Sequence, residues 1–139
     1  MEYSVVERAN PQDRTQKMFY PQPVWGRMVT EDNLASEISF ACSVNISDIR
    51  AVLGCLMELL PRHLMEGETV KLERLGIFRL GFDTKGETLE KDVSEKDILQ
   101  AKVLFRPDVK IKSKLKSTSY KKVSSKTQSK KDSGEDSEG

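Results

Sequence analysis

The chain is poor in the residues that build catalytic centres and covalent frameworks. It has one histidine, one tryptophan and two cysteines in 139 residues. Two cysteines cannot form a multi-bridge framework, and Cys42 and Cys55 both fall in apolar helical patterns, so both are expected to be buried, reduced thiols. Neither has a second Cys or a His at zinc-ligand spacing. The lone His63 has no nucleophile beside it in sequence, which leaves it a structural or surface residue. There is no phosphate-cradling glycine-rich loop. No enzyme, no metal and no cofactor is expected, and no small-molecule substrate. No apolar run approaches the roughly 18 residues of a membrane span. The start, MEYSVVERANPQD, lacks the basic and apolar regions of a secretory signal, so a cytoplasmic protein without membrane partners is expected. Proline is scarce too. None of the five lies between Gly76 and Pro107.

What is present is charge, unevenly placed. The net charge is only +1, yet residues 102–131 hold eleven Lys/Arg against one acid, Asp108. Residues 132–139 hold four acids and no base. A near-neutral total therefore conceals a basic segment of the kind that forms an electrostatic footprint on nucleic acid.

The apolar pattern divides the chain into three parts. Residues 1–29 form an N-terminal extension, with Tyr3-Ser4-Val5-Val6 as a short strand and Asn10-Pro11-Gln12-Asp13 as a turn. Its aromatics and Pro21 and Pro23 point to an extended segment packing on the core and covering a sheet edge, or to a partner-binding surface. Residues 30–116 form the main domain. A first helix starts near Thr30, with Leu34, Ile38, Ala41 and Cys42 at helical spacing. A second is expected from Ser47 as N-cap. Ile49, Val52, Leu53, Leu56, Met57, Leu59, Leu60 and Leu64 cover an arc too wide for a helix buried on one side only. Pro61 should kink or interrupt it, and Gly67 is a natural C-terminal stop. Strands follow over Thr69–Leu72 and Ile77–Phe82, about a Leu75-Gly76 corner. A polar connection leads to a returning strand at Lys102–Arg106 and a short helix opened by Pro107-Asp108. From Ser117 to Gly139 the chain is rich in Ser and Lys and then acidic, and reads as disordered.

The stretch EGETVKLERLGIFRLGF (Glu66 to Phe82) sits after two helices and before Phe105-Arg106-Pro107. That order resembles the HU/IHF family of histone-like DNA-binding proteins over about residues 30 to 116. The leader, with Asn10-Pro11, Tyr20-Pro21-Gln22-Pro23 and Trp25-Gly26, is similar to a divergent HU-related subgroup of Bacteroidetes that carries an N-terminal extension. The resemblance implies an α+β, IHF-like (HU) fold: two N-terminal helices, a three-stranded antiparallel sheet with an arm, and a short C-terminal helix, assembled as an intertwined homodimer. It further implies a nucleoid-associated protein that binds double-stranded DNA without sequence specificity and condenses it, through phosphate contacts and deformation.

The residues that could take phosphates are Lys102, Arg106, Lys110, Lys112, Lys114 and Lys116, of which Lys110 and Lys114 share a helix face and Lys112 and Lys116 form a second row. Arg74 and Arg79 near the hairpin and Lys85 in the arm are further candidates, and Lys121 and Lys122 join Lys126, Lys130 and Lys131 in a basic tail. The acidic end, Asp132 to Glu138, could compete with DNA for that tail. The same lysines also suit a solvated polar face. The arm departs from the family pattern: residues 83–97 carry three bases, six acids and no proline. A scaffold that binds another protein on an HU fold, with weak DNA binding, is therefore the alternative.

Overall fold

The computed structural model describes residues 1–124, which divide into two compact units. The first comprises Met1–Met28 together with the segment from Ser117, and the second is Val29–Lys116.

In the first unit, β1 (Glu2–Ala9) and β2 (Lys17–Val24) form an antiparallel hairpin. The turn is locked by short polar side chains. Asn10 Oδ1 accepts from the Gln12 amide, and Asp13 Oδ1 accepts from both the amide and the hydroxyl of Thr15. These hydrogen bonds hold the Asp13 carboxyl below its ordinary value of 3.8, the hydroxyl contributing most. Pro21 and Pro23 pair with Val5 and Tyr3. Their missing amides face away from β1, so the free edge of β2 is a poor template for another strand. The local turn closes the two strands on each other, in a sheet of order β2-β1-β6.

That third strand, β6 (Lys121–Lys122), corrects the expectation of disorder from Ser117. It runs parallel to β1, with the Lys121 amide donating to Met1 O and the Val123 amide to Tyr3 O. The N-terminal ammonium donates to Ser119 O at 2.8 Å. Composition argues against a buried core here, but backbone pairing needs no apolar side chain. The tail residues Lys126, Lys130 and Lys131 and the acidic end lie outside the described residues.

The second unit opens with α1 (Glu31–Cys42), capped by Thr30, whose hydroxyl accepts from the Asn33 amide while Asn33 Oδ1 accepts from the Thr30 amide. Next is α2 (Ile46–Met65). Its cap is Asn45, not Ser47: Asn45 Oδ1 accepts from the Ser47 amide at 2.8 Å. The helix also runs through Pro61 without interruption. Proline there removes one hydrogen bond one turn from the end, where little helix remains to be lost. After the stop at Gly67 (φ 80°) come β3 (Val70–Leu72), β4 (Gly76–Thr84) and β5 (Ile98–Pro107), antiparallel in that order. The returning strand is thus longer than Lys102–Arg106. Last is α3 (Val109–Leu115), capped by Asp108 through the Lys110 amide.

The core of a single chain is thin. Ala35, Ile49 and Leu64 are the buried apolar residues among those described. Phe40 is 90% exposed and Val52 68% exposed, so much of the apolar surface on α1 and α2 is uncovered. Cys42 and Cys55 are free but exposed among the described residues, which corrects the expectation of burial.

Candidate nucleic-acid interface

The register of β3, β4 and β5 decides which side chains share a face, because directly paired residues of antiparallel strands project to the same side. Ile77 pairs with Lys71 on one side and Arg106 on the other, Arg79 with Leu104, and Gly81 with Lys102. One face of the sheet therefore carries Lys71, Arg79, Lys102 and Arg106 around Ile77 and Leu104. The opposite face carries Val70, Leu72, Phe78, Leu80, Phe82, Val103 and Phe105, almost wholly apolar. Two glycines permit close packing along this sheet. A Cβ on Gly81 would come within 2.7 Å of the Leu104 side chain, and one on Gly76 within 2.4 Å of Arg106 O and 2.5 Å of the Phe105 ring. Phe105 in turn stacks on Phe78 with ring centroids 4.7 Å apart.

Thr69, Ile77, Arg79, Leu104, Phe105 and Arg106 line a groove of about 270 Å³. Arg79 and Arg106 are exposed and form no ion pair among the described residues. Lys71 is also on the basic face, 3.2 Å from Glu73. It is absent from the candidates read off the sequence, because its face depends on the length of the loop that joins β3 to β4.

The other candidates fall in different surroundings. Arg74 occupies the three-residue loop between β3 and β4 in a left-handed conformation (φ 68°), so the loop's αL position belongs to it and not to Gly76. Lys85 is held 3.2 Å from Glu87, and Lys102 is ion-paired with Asp83. Those acids neutralise two of the candidates locally, and phosphates would have to displace them. Lys110, Lys112, Lys114 and Lys116 lie on or just after α3, with Lys110 and Lys114 one turn apart as expected. Lys121 and Lys122 are on β6, in the other unit.

The connection from β4 to β5 is folded back on itself. Beyond a register shift at Asp83/Thr84 it makes two short 3-10 turns, Glu90–Asp92 and Glu95–Asp97. Asp97 is only 8% exposed; its carboxylate accepts from the Ser94 amide at 2.7 Å, and its carbonyl accepts from the Lys85 amide at 2.8 Å.

A helix pair, a three-stranded sheet with one basic and one apolar face, and a short lysine-rich helix together make a mixed α+β, HU-like domain preceded by a hairpin. The chain belongs to the family of HU domains fused to a winged helix-turn-helix, immunoglobulin-like or glycine-rich motif, whose model matches residues 1–122. Among solved structures it is similar to a candidate bacterial DNA-binding protein from Bacteroides vulgatus, with a TM-score of 0.61 at 15% identity over 88% of this chain. The chain spans 48% of that protein's length. It is also similar to a point mutant of HU from Thermotoga maritima, with a TM-score of 0.47 at 15% identity, covering 63% of this chain and 99% of that one. No curated protein matches the chain. Among the described residues no helix is long and apolar enough to cross a membrane.

Proposed function

We propose that the protein is a non-enzymatic, architectural DNA-binding protein that acts as an intertwined homodimer and contacts the phosphate backbone of double-stranded DNA without base readout. The observation that carries this reading is the division of the β3-β4-β5 sheet into a basic face, with Arg79 and Arg106 in no ion pair among the described residues, and an apolar face. Exposed cations that need no fixed geometry suit phosphates better than base edges. The lysines of α3 extend the positive surface, and Arg74, Lys121 and Lys122 are secondary contributors. Lys85 and Lys102 contribute least, because Glu87 and Asp83 already hold them.

The dimer rests on apolar area. Phe40 and Val52 on the helices and Val103 and Phe105 on the sheet remain largely exposed in one chain, more apolar surface than a stable monomer leaves to water. A second copy with the same surface would cover it. On this reading the protein sits on the nucleoid in the cytoplasm and condenses DNA, and the folded, acidic β4-β5 connection is not a wedge. That connection also favours the alternative of a scaffold that binds another protein on the HU fold, since phosphates repel it.

An anisotropy titration with a labelled duplex separates the two. Binding at about 50 mM salt that weakens steeply as salt rises is expected of phosphate contacts. Absence of binding under those conditions rejects the DNA reading and leaves the scaffold. Sedimentation equilibrium is expected to give twice the 15.8 kDa chain mass.

A further inference from the structure

At the end of α2 the fold gathers three potential ligands that are separated in sequence by a helix stop. His63 Nδ1 lies 2.6 Å from Glu68 Oε2. One ligand atom each from His63, Glu66 and Glu68 falls within 4.8 Å of the others. The backbone fixes this arrangement. The His63 carbonyl accepts from the amides of both Glu66 and Glu68, at 3.2 and 3.1 Å, and the Gly67 amide donates to Leu64 O at 3.0 Å. Gly67, at φ 80°, makes the reversal that returns Glu68 toward the imidazole.

The electrostatics of the turn are unbalanced. Among the described residues neither Glu66 nor Glu68 is ion-paired with a lysine or arginine, and the ion pairs nearest in sequence, Lys71–Glu73 and Arg50–Asp32, use other acids. Both carboxylates stand at the carbonyl end of a 20-residue helix, where the partial charge is also negative. Arg62, the other basic residue of the last turn, is ion-paired with neither carboxylate among the described residues.

We propose that the C-terminal turn of α2 is a binding site for a divalent transition-metal cation, with His63 Nδ1 and the carboxylates of Glu66 and Glu68 as its ligands. One imidazole with two carboxylates is a borderline donor set, suited to zinc and its neighbours and poor for magnesium, which prefers oxygen and retained water. A tetrahedral zinc ion with ligand atoms about 2.0–2.2 Å away holds them about 3.3–3.6 Å from one another. From separations of up to 4.8 Å the side chains must close by about an ångström or more, while His63 Nδ1 and Glu68 Oε2 must open from 2.6 Å; all three are at the surface, where rotamer changes allow it. The cation takes the place of the hydrogen bond between Nδ1 and Oε2, and water completes its coordination. The position, at the junction of α2 with β3, lets the metal brace the helix against the hairpin that carries the basic sheet face.

The test uses the untagged full chain with zinc chloride. His63 is the only histidine, so its imidazole NMR signals report the site without ambiguity. Saturable 1:1 binding by calorimetry with a matching shift of those signals is expected, with magnesium giving neither. His63→Gln and Glu68→Gln, both able to keep the helix end intact, should each weaken binding by at least about tenfold. The C42S/C55S variant should bind as the parent does. Zinc binding that leaves the imidazole signals unmoved, survives His63→Gln, or disappears in C42S/C55S overturns the proposal, as does the absence of saturable binding. None of these outcomes depends on DNA binding, so the two proposals fail separately.

Discussion

If Arg79 and Arg106 hold phosphates, removing them must change the salt dependence of DNA binding and not only its strength. The register Ile77–Arg106 and Arg79–Leu104 places the two arginines diagonally on one face, with Cβ atoms about 7 Å apart. That is close enough to serve one DNA strand and far enough to take separate phosphates. One phosphate each gives two contacts per protomer and four per dimer. Each phosphate contact contributes a slope of about −0.9 to log K against log salt, so R79A/R106A should flatten the slope by about 3.6. The loss should be the same on unrelated duplex sequences, because no base is read. Both side chains are exposed and form no ion pair among the described residues, so circular dichroism and the melting midpoint should stay close to the parent values. The assay is fluorescence anisotropy on two labelled duplexes of different sequence between about 50 and 300 mM salt. A slope that stays within about one unit of the parent value refutes the placement of phosphates on this face, even if affinity drops. Loss on one duplex sequence alone refutes the non-specific reading.

Three further outcomes follow from local geometry. Gly76→Ala puts a Cβ 2.4 Å from Arg106 O and 2.5 Å from the Phe105 ring, and should destabilise by about 3 kcal/mol or more in chemical denaturation; a cost under about 1 kcal/mol means the strands part more easily than their packing implies. Ser4 is 1% exposed and its Oγ has no hydrogen-bond partner among the described residues, so Ser4→Ala should be neutral or stabilise by about 1 kcal/mol, and a clear loss would show that the hydroxyl is satisfied. The Asp13 carboxyl titrates below its ordinary value of 3.8 because Thr15 donates to its charged form. Its contribution to the β1-β2 turn is therefore present above 3.8 and fades as pH falls through the lowered folded value; a carboxyl NMR titration should show the depressed midpoint in the parent and its return toward the ordinary value in Thr15→Ala, which removes the larger cause.

Local chemistry was legible wherever one residue governs one backbone step. Thr30 as a cap and Gly67 as a stop sit where their side chains, or the lack of one, dictate. The misreadings share a different cause. Asn45 and Ser47 are both competent caps, and in the folded chain Asn45 Oδ1 takes the Ser47 amide. Cys42 and Cys55 have the apolar neighbours of a core, but burial depends on what covers a helix, not on the helix itself.

The same division holds for the candidate site. Within residues 30–116 the order of helices and strands, the basic character of residues 102–116 and the acidic connection without proline were legible in the sequence, since periodicity, capping and charge are properties of neighbouring residues. The tertiary structure decided what those residues do together. Strand register gathers Lys71, Arg79 and Arg106 on one face and gives Lys102 to Asp83, and the turn at Gly67 returns Glu68 to His63. Strand pairing likewise recruits Lys121 and Lys122 to the N-terminal hairpin. Contacts between residues far apart in the chain depend on pairing and reversal, and alternation along one strand leaves those choices open until its neighbours are in place.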